Sequence, residues 1–181
     1  MEFEIFTWVE AVGYLGLCAY IFAYALAQPR STIYTLLAGD SLYAVHLLAL
    51  GAISAGLMCV FAILRNATTL TLKQHNQLKS FLIGFTICMW AVTLWKYNNI
   101  YDILPTIGIT ISSFGMLYRE DFWKFRTCML SAYMFWLVYF IILASTPAIL
   151  YISLASAMNI GTMAKEYRKK VSPAELCTAT S

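Results

Sequence analysis

The sequence predicts an all-α integral membrane protein of about seven transmembrane helices, N-terminus outside and C-terminus in the cytoplasm, built as two parallel triple-helix repeats joined by one helix in a 3+1+3 order. Three observations predict it: the scarcity of charge, a series of apolar runs of spanning length, and the lopsided placement of the cations. Of 181 residues, 61% are hydrophobic, 15% aromatic and only 12% charged, against roughly 25% charged in a soluble domain. That supply cannot coat a water-facing surface. The apolar residues run through the whole chain, so the core they build is shared with lipid.

A hydrocarbon core of about 30 Å takes roughly 20 helical residues to cross. The first run extends over about Val9–Ala27, the second over Thr32–Leu50 and the third over Ala52–Leu70. A fourth covers Ser80–Trp95, a fifth Tyr101–Leu117, a sixth Phe125–Ala144 and a seventh Pro147–Met163. Ser145-Thr146-Pro147 separates the last two, because proline cannot continue a helix through its own position. The resulting organisation is a first three-helix repeat in 1–70, a polar cytoplasmic loop and linker helix in 71–100, a second repeat in 101–165 and a flexible cytoplasmic tail in 166–181. The loop is the polar stretch Thr68–Lys79, with Lys73, Gln74, His75, Asn76 and Gln77. Opening with Glu2, Glu4 and Glu10 and lacking a small-residue cleavage pattern, the first run reads as a retained span rather than a signal peptide.

With the N-terminus outside, Arg30, Arg65, Lys73, Lys79, Arg119, Lys124, Arg126, Lys165, Arg168, Lys169 and Lys170 fall on the cytoplasmic side. Lys96 alone falls outside. That partition is what the positive-inside rule requires, and it favours an odd number of spans. Asn66-Ala67-Thr68 matches the glycosylation pattern but lies at the inner end of a span, where it goes unused.

Sliding the chain against itself by 93 residues lays helices one to three over helices five to seven. Leu42-Tyr43 then meets Phe135-Trp136, His46 meets Tyr139, Gly51 meets Ala144, Ala55 meets Ala148, Ala62 meets Ala155 and Asn66 meets Asn159. An offset one residue shorter pairs Leu15-Gly16-Leu17 with Ile107-Gly108-Ile109. The asparagines and small residues carry the signal, since apolar helices match easily. Both triplets end on the same side, so the repeat is parallel, with a seam between equivalent halves of the kind that holds a substrate path in transporters. Gly51-xxx-Ala55 and Ala144-xxx-Ala148 place small residues one turn apart, where backbones can approach.

Asp40 is the acid nearest the middle of a span, where a charge costs roughly 2.5–3.5 kcal/mol on insertion scales. Tyr43 and His46 follow it at three-residue steps and share a broad helix face. One reading makes Asp40 part of a substrate or proton pathway lined by Tyr43 and His46. The other makes it a protonated side chain bonded to a neighbouring helix. Asn66 and Asn159 offer amides suited to a neutral polar ligand, or to a helix-to-helix hydrogen bond. Tyr43 and Trp136 would stand beside them as an aromatic wall, Trp90, Trp95 and Trp123 read as interfacial anchors, and Arg65 reads as snorkelling to the inner headgroups.

No catalytic set, phosphate loop or multi-histidine cluster stands in the chain, and Cys18, Cys59, Cys88, Cys128 and Cys177 are scattered. The expectation is a non-enzyme without cofactor, metal or nucleic-acid partner, which works in the lipid bilayer on a small polar solute and forms homo-oligomers if it associates at all.

Four stretches, Val45-His46-Leu47-Leu48-Ala49-Leu50-Gly51, Ile63-Leu64-Arg65-Asn66, Ile103-Leu104-Pro105-Thr106-Ile107-Gly108 and Met158-Asn159-Ile160, taken in order and spacing, give the chain its kinship. It resembles the YgjV type of bacterial inner membrane protein along nearly its whole length. More distantly it is similar to the SWEET and PQ-loop facilitators, which implies a transporter with Asn66 and Asn159 as binding residues and Trp136 as a stacking partner. It departs from that group in having Gln28-Pro29 where a Pro-Gln pair stands, and in lacking the hinge prolines of the first two helices of each half. The other class of function consistent with the residues is a non-transporting scaffold or accessory protein.

Overall fold

The structure is a computed structural model that describes residues 2–25, 29–72, 75–95, 99–118 and 121–178. Gln28, Lys73, Gln74, Lys96 and Arg119 lie outside the described residues, as do the side chains of Glu2, Glu4, Arg30, His75, Lys169, Lys170 and Cys177. Among the described residues there are seven α-helices: α1 (Glu2–Ala25), α2 (Pro29–Ala49), α3 (Ile53–Thr71), α4 (His75–Trp95), α5 (Ile103–Leu117), α6 (Phe122–Ile142) and α7 (Thr146–Thr178). A 3-10 turn over Ile100–Asp102 leads into α5, and the Asp121 carboxylate caps α6 by accepting from the Lys124 backbone N–H at 3.1 Å.

Three boundaries differ from the sequence expectation, the first being that of α1, which begins at Glu2 and not near Val9. The polar stretch Thr68–Lys79 is no long loop, because α3 continues to Thr71 and α4 begins at His75. The threonine side chains there fold back on their own helix, Thr68 Oγ1 donating to the Leu64 carbonyl and Thr71 Oγ1 to that of Thr68, both at 2.8 Å. At the other end, α7 does not stop near Met163 but runs through the basic segment to Thr178. Lysine, arginine and glutamate are good helix formers, so the loss of apolar character there marks the end of a span and not of the helix.

α1 packs on α2, α2 on α3, α3 on α5, α5 on α6, α6 on α7, and α7 back on α1. Six helices thus close a ring, and α4 lies outside it against α3 and α5. Tyr20, Tyr43, Leu47, Ala55, Cys59, Tyr139, Phe140, Ala148 and Ile152 fill the interior. The outside is apolar as well: Phe22, Ile87, Leu94, Phe114, Ile141 and Ile160 are exposed. A buried polar network inside an apolar exterior is the pattern of a protein dissolved in lipid. The stretches Asn76–Trp95, Ile100–Leu117, Phe122–Ile142 and Thr146–Arg168 are each long and apolar enough to cross a membrane. Trp8–Phe22, Leu37–Ala49 and Ile53–Thr68 are shorter apolar stretches among the described residues.

The α2–α3 and α6–α7 turns are made by the same hydrogen bonds 93 positions apart. Leu50 N–H donates to the His46 carbonyl, Gly51 to Leu48, Ala52 to Leu47 and Gly56 to Ala52. Leu143 donates to Tyr139, Ala144 to Ile141, Ser145 to Phe140 and Ile149 to Ser145. In each turn the six-to-one and five-to-two bonds form a Schellman motif, whose central residue must take a left-handed conformation. Gly51 has φ +76° and Ala144 has φ +54°. Gly51 therefore serves the turn and not a close helix approach, since a side chain there would meet nothing within 4 Å; the packing role falls to the fully buried Ala55 and Ala148.

Because a Cβ is disfavoured at positive φ by about 1 kcal/mol, matched substitutions should have opposite signs. Ala144→Gly is expected to raise the thermal unfolding midpoint in detergent, and Gly51→Ala to lower it.

Candidate functional site

A chain of polar side chains crosses the ring from α1 to α5. Tyr20 donates its hydroxyl proton to Asp40 Oδ1. Asn66 Nδ2 donates to Asp40 Oδ2 at 3.0 Å, while Asn66 Oδ1 accepts from Arg65 Nε at 3.2 Å and Nη2 at 3.1 Å. Arg65 Nη1 donates to Ser112 Oγ at 2.7 Å and Ser113 Oγ at 3.3 Å. Asn66 is suited to the middle of this chain by its two-faced amide: an arginine only donates and an ionised carboxylate only accepts, so the amide must present oxygen to one and nitrogen to the other.

Local sequence sets up each element of the chain. Gly39 makes room for the Tyr20 ring, which would lie 3.1 Å from a Cβ there. Tyr20 in turn stacks on Tyr151 of α7, with ring centroids 4.0 Å apart at 20°. Arg65 is 6% exposed, which corrects the expectation that it snorkels to the headgroups. The hydroxyls of Ser112 and Ser113 and the Asn66 oxygen give its guanidinium three acceptors inside the bundle, so it turns inward. Sequence reading missed Tyr20, Ser112 and Ser113. The available signal was a pair of adjacent serines in an otherwise apolar span, opposite an arginine one turn inside another.

Asn159 is buried in a separate arrangement. Its Nδ2 donates to the Arg126 backbone carbonyl at 2.9 Å, and its Oδ1 accepts from Arg126 Nη1 at 3.2 Å. Asn66 thus ties α3 to α2 and Asn159 ties α7 to α6. Trp136 packs closely on Gly108, where a Cβ would sit 2.7 Å from the indole, and its ring lies against Phe140 and Tyr139. Tyr43 meets Gly16 in the same way, at 2.9 Å. Trp90, expected as an interfacial anchor, donates its Nε1–H to Thr110 Oγ1 at 3.2 Å and joins α4 to α5.

His46 and Tyr43 tie α2 to the α6–α7 turn. The buried His46 places Nδ1 2.8 Å from the Val9 carbonyl and Nε2 2.9 Å from Ser145 Oγ. A carbonyl cannot donate, so Nδ1 carries a proton and Nε2 accepts from Ser145 when the ring is neutral. Tyr43 donates to the Pro147 carbonyl at 2.9 Å. Across the same end of the bundle Ser54 Oγ donates to Asp102 Oδ1 at 3.0 Å. Of the residues singled out from sequence, the structure thus joins Asp40 with Asn66 and Tyr43 with His46, and sets Asn159 and Trp136 apart from both pairs.

A family model described as a bacterial inner membrane protein, Imp-YgjV, matches residues 7–170. The chain belongs to this family. No curated protein and no solved structure gives a match. The matched region of the family holds every residue of the network, from Val9 to Asn159. Among the described residues no group of metal-ligating side chains comes together, and Cys18, Cys59, Cys88 and Cys128 are free thiols.

Removing one member of a buried ionic network strands the other, at a cost of about 3–5 kcal/mol. Arg65→Gln is therefore expected to lower unfolding stability strongly, and the Asp40→Asn, Arg65→Gln double variant to lose less than the sum of the singles, as measured by a double-mutant cycle in detergent. Gly13 lies against His46 and Pro147, where a Cβ would come within 2.9 and 2.7 Å. Gly13→Ala should destabilise by about 1–3 kcal/mol through overpacking, which thermal unfolding would register.

Proposed function

We propose that this inner membrane protein is a facilitator or proton-coupled carrier of a small polar solute. The solute passes along the seam between two triple-helix repeats, α1–α3 and α5–α7, with α4 as the inverting linker. In this reading all seven helices span the membrane, the N-terminus is outside, the C-terminus is cytoplasmic, and neither cofactor nor metal takes part. The observation that carries it is the Tyr20–Asp40–Asn66–Arg65–Ser112 chain, an ionisable network held inside a bundle with an apolar exterior. Ionisable residues at such depth are costly and usually mark a path for an ion or solute.

Several features support the repeat: the identical bonds of the two turns, the shared left-handed residue at positions 51 and 144, and the glycine-to-aromatic contacts of Gly16 with Tyr43 and Gly108 with Trp136. Buried pairs Leu47 and Phe140, Ala55 and Ala148, and Cys59 and Ile152 stand at the same offset.

A second reading, a non-transporting scaffold, is favoured by one observation: among the described residues, no buried side-chain nitrogen or oxygen lacks a hydrogen-bond partner. A network complete in itself can hold a bundle together without a ligand. The two readings separate in a thermal-shift screen of the purified protein against sugars, nucleosides, vitamins and amino acids, followed by uptake into proteoliposomes. A bound solute at about 100 times its Kd should stabilise by about 2.7 kcal/mol. Transport requires that a stabilising solute enter protein-containing vesicles faster than empty ones. Silence in the screen together with no uptake would leave the scaffold.

A further inference from the structure

Arg65 carries its positive charge inside the bundle with neutral oxygens as its direct partners: Asn66 Oδ1, Ser112 Oγ and Ser113 Oγ. The charged and titratable groups that face it are Asp40, Tyr20, Tyr133 and Tyr151. Asp40 is the one carboxylate in that set, and it reaches the guanidinium through the Asn66 amide instead of directly. Four of the five guanidinium N–H groups are accounted for by the bonds to Asn66, Ser112 and Ser113, which leaves a second hydrogen on Nη2. A carboxylate that accepts this hydrogen gains the second of two parallel bonds by displacing a serine hydroxyl from Nη1, the longer contact being that of Ser113 at 3.3 Å, and in a low-dielectric interior such a pairing is worth far more than contacts to hydroxyls.

We infer that the Arg65–Ser112–Ser113 cluster is the recognition site for a small monocarboxylate, and that Asp40 takes up a proton when the anion binds. The inference rests on the transport reading and names its substrate class. Charge balance links the two events. With Asp40 ionised and Arg65 protonated the network is neutral; a monoanion entering it leaves one uncompensated negative charge in the bundle, which a proton on Asp40 removes. The proton comes from solvent and sits on the Asp40 carboxyl, whose other near titratable groups are Tyr20 on α1 and Cys59 on α3. One anion and one proton then move together as a neutral load.

The test compares isosteres that differ only in charge. The full chain in detergent is titrated with lactate and lactamide, and with acetate and acetamide, by calorimetry and thermal shift between pH 6 and 8, alongside the neutral-solute panel. Lactate or acetate should bind at least tenfold more tightly than its amide. Over the range where free Asp40 is ionised, its affinity should fall about tenfold per pH unit, the slope for one linked proton. Asp40→Asn should keep carboxylate binding and flatten that slope. Arg65→Gln should abolish binding, and should it fail to fold, the unmodified protein's isostere ratio and pH slope still decide. Amides binding as well as the carboxylates, or a carboxylate affinity independent of pH, overturns the inference. Binding and uptake of neutral solutes alone would overturn it while leaving the transport reading standing, whereas no solute of either kind binding would remove both.

Discussion

Asn66 lies between a carboxylate and a guanidinium that do not touch, and the packing of four helices depends on keeping it there. A charge withdrawn from water into a low-dielectric interior costs several kcal/mol unless its hydrogen-bonding capacity is met. Asp40 and Arg65 meet that requirement jointly, through an amide whose oxygen faces one and whose nitrogen faces the other. The Tyr20 hydroxyl and the Ser112 and Ser113 hydroxyls complete the two ends. Since these groups come from α1, α2, α3 and α5, a shift of any one of those helices by a few ångströms leaves a charge unpaired. The network therefore specifies register between helices whose apolar surfaces would otherwise slide against lipid-like neighbours with little preference.

The other end of the bundle is held differently, by α2 side chains that reach α1 and the α6–α7 turn. His46 spans from the Val9 carbonyl to Ser145, and Tyr43 reaches the Pro147 carbonyl. Both depend on α1 approaching α2 closely, which Gly13 and Gly16 permit by presenting no Cβ to the imidazole and the phenol. On the facing side Ser54 donates to Asp102 and joins the start of α3 to the start of α5. The turn geometry places these groups: a left-handed residue reverses each helix pair within three positions, so the next helix begins with its first buried residue already against the core.

Much of this was legible in the chain. Helix number and approximate ends followed from apolar runs, because the thickness of a bilayer sets a length that composition alone reveals. Family membership followed from the order of short motifs such as Ile63-Leu64-Arg65-Asn66. Gly51 and Ala144, which both take a left-handed conformation, stand at an offset visible in the chain, and Asp40 stood out as an acid where acids are expensive. The polar stretch after Thr68 and the basic stretch after Met163 misled, since polarity marks where a span ends and says little about where a helix does.

What the sequence by itself determined was the set of groups too costly to leave in lipid: Asp40, Arg65, His46, Asn66 and Asn159. What only the tertiary structure decided was their pairing. Arg65 turned out to face Ser112 and Ser113, 47 and 48 positions away, rather than the headgroups, and Asn159 closed on Arg126 instead of joining Asn66. Sequence spacing resolves neighbours three or four residues apart on one helix. A hydrogen bond between helices depends on their rotation and depth, which are fixed by how all the side chains pack at once.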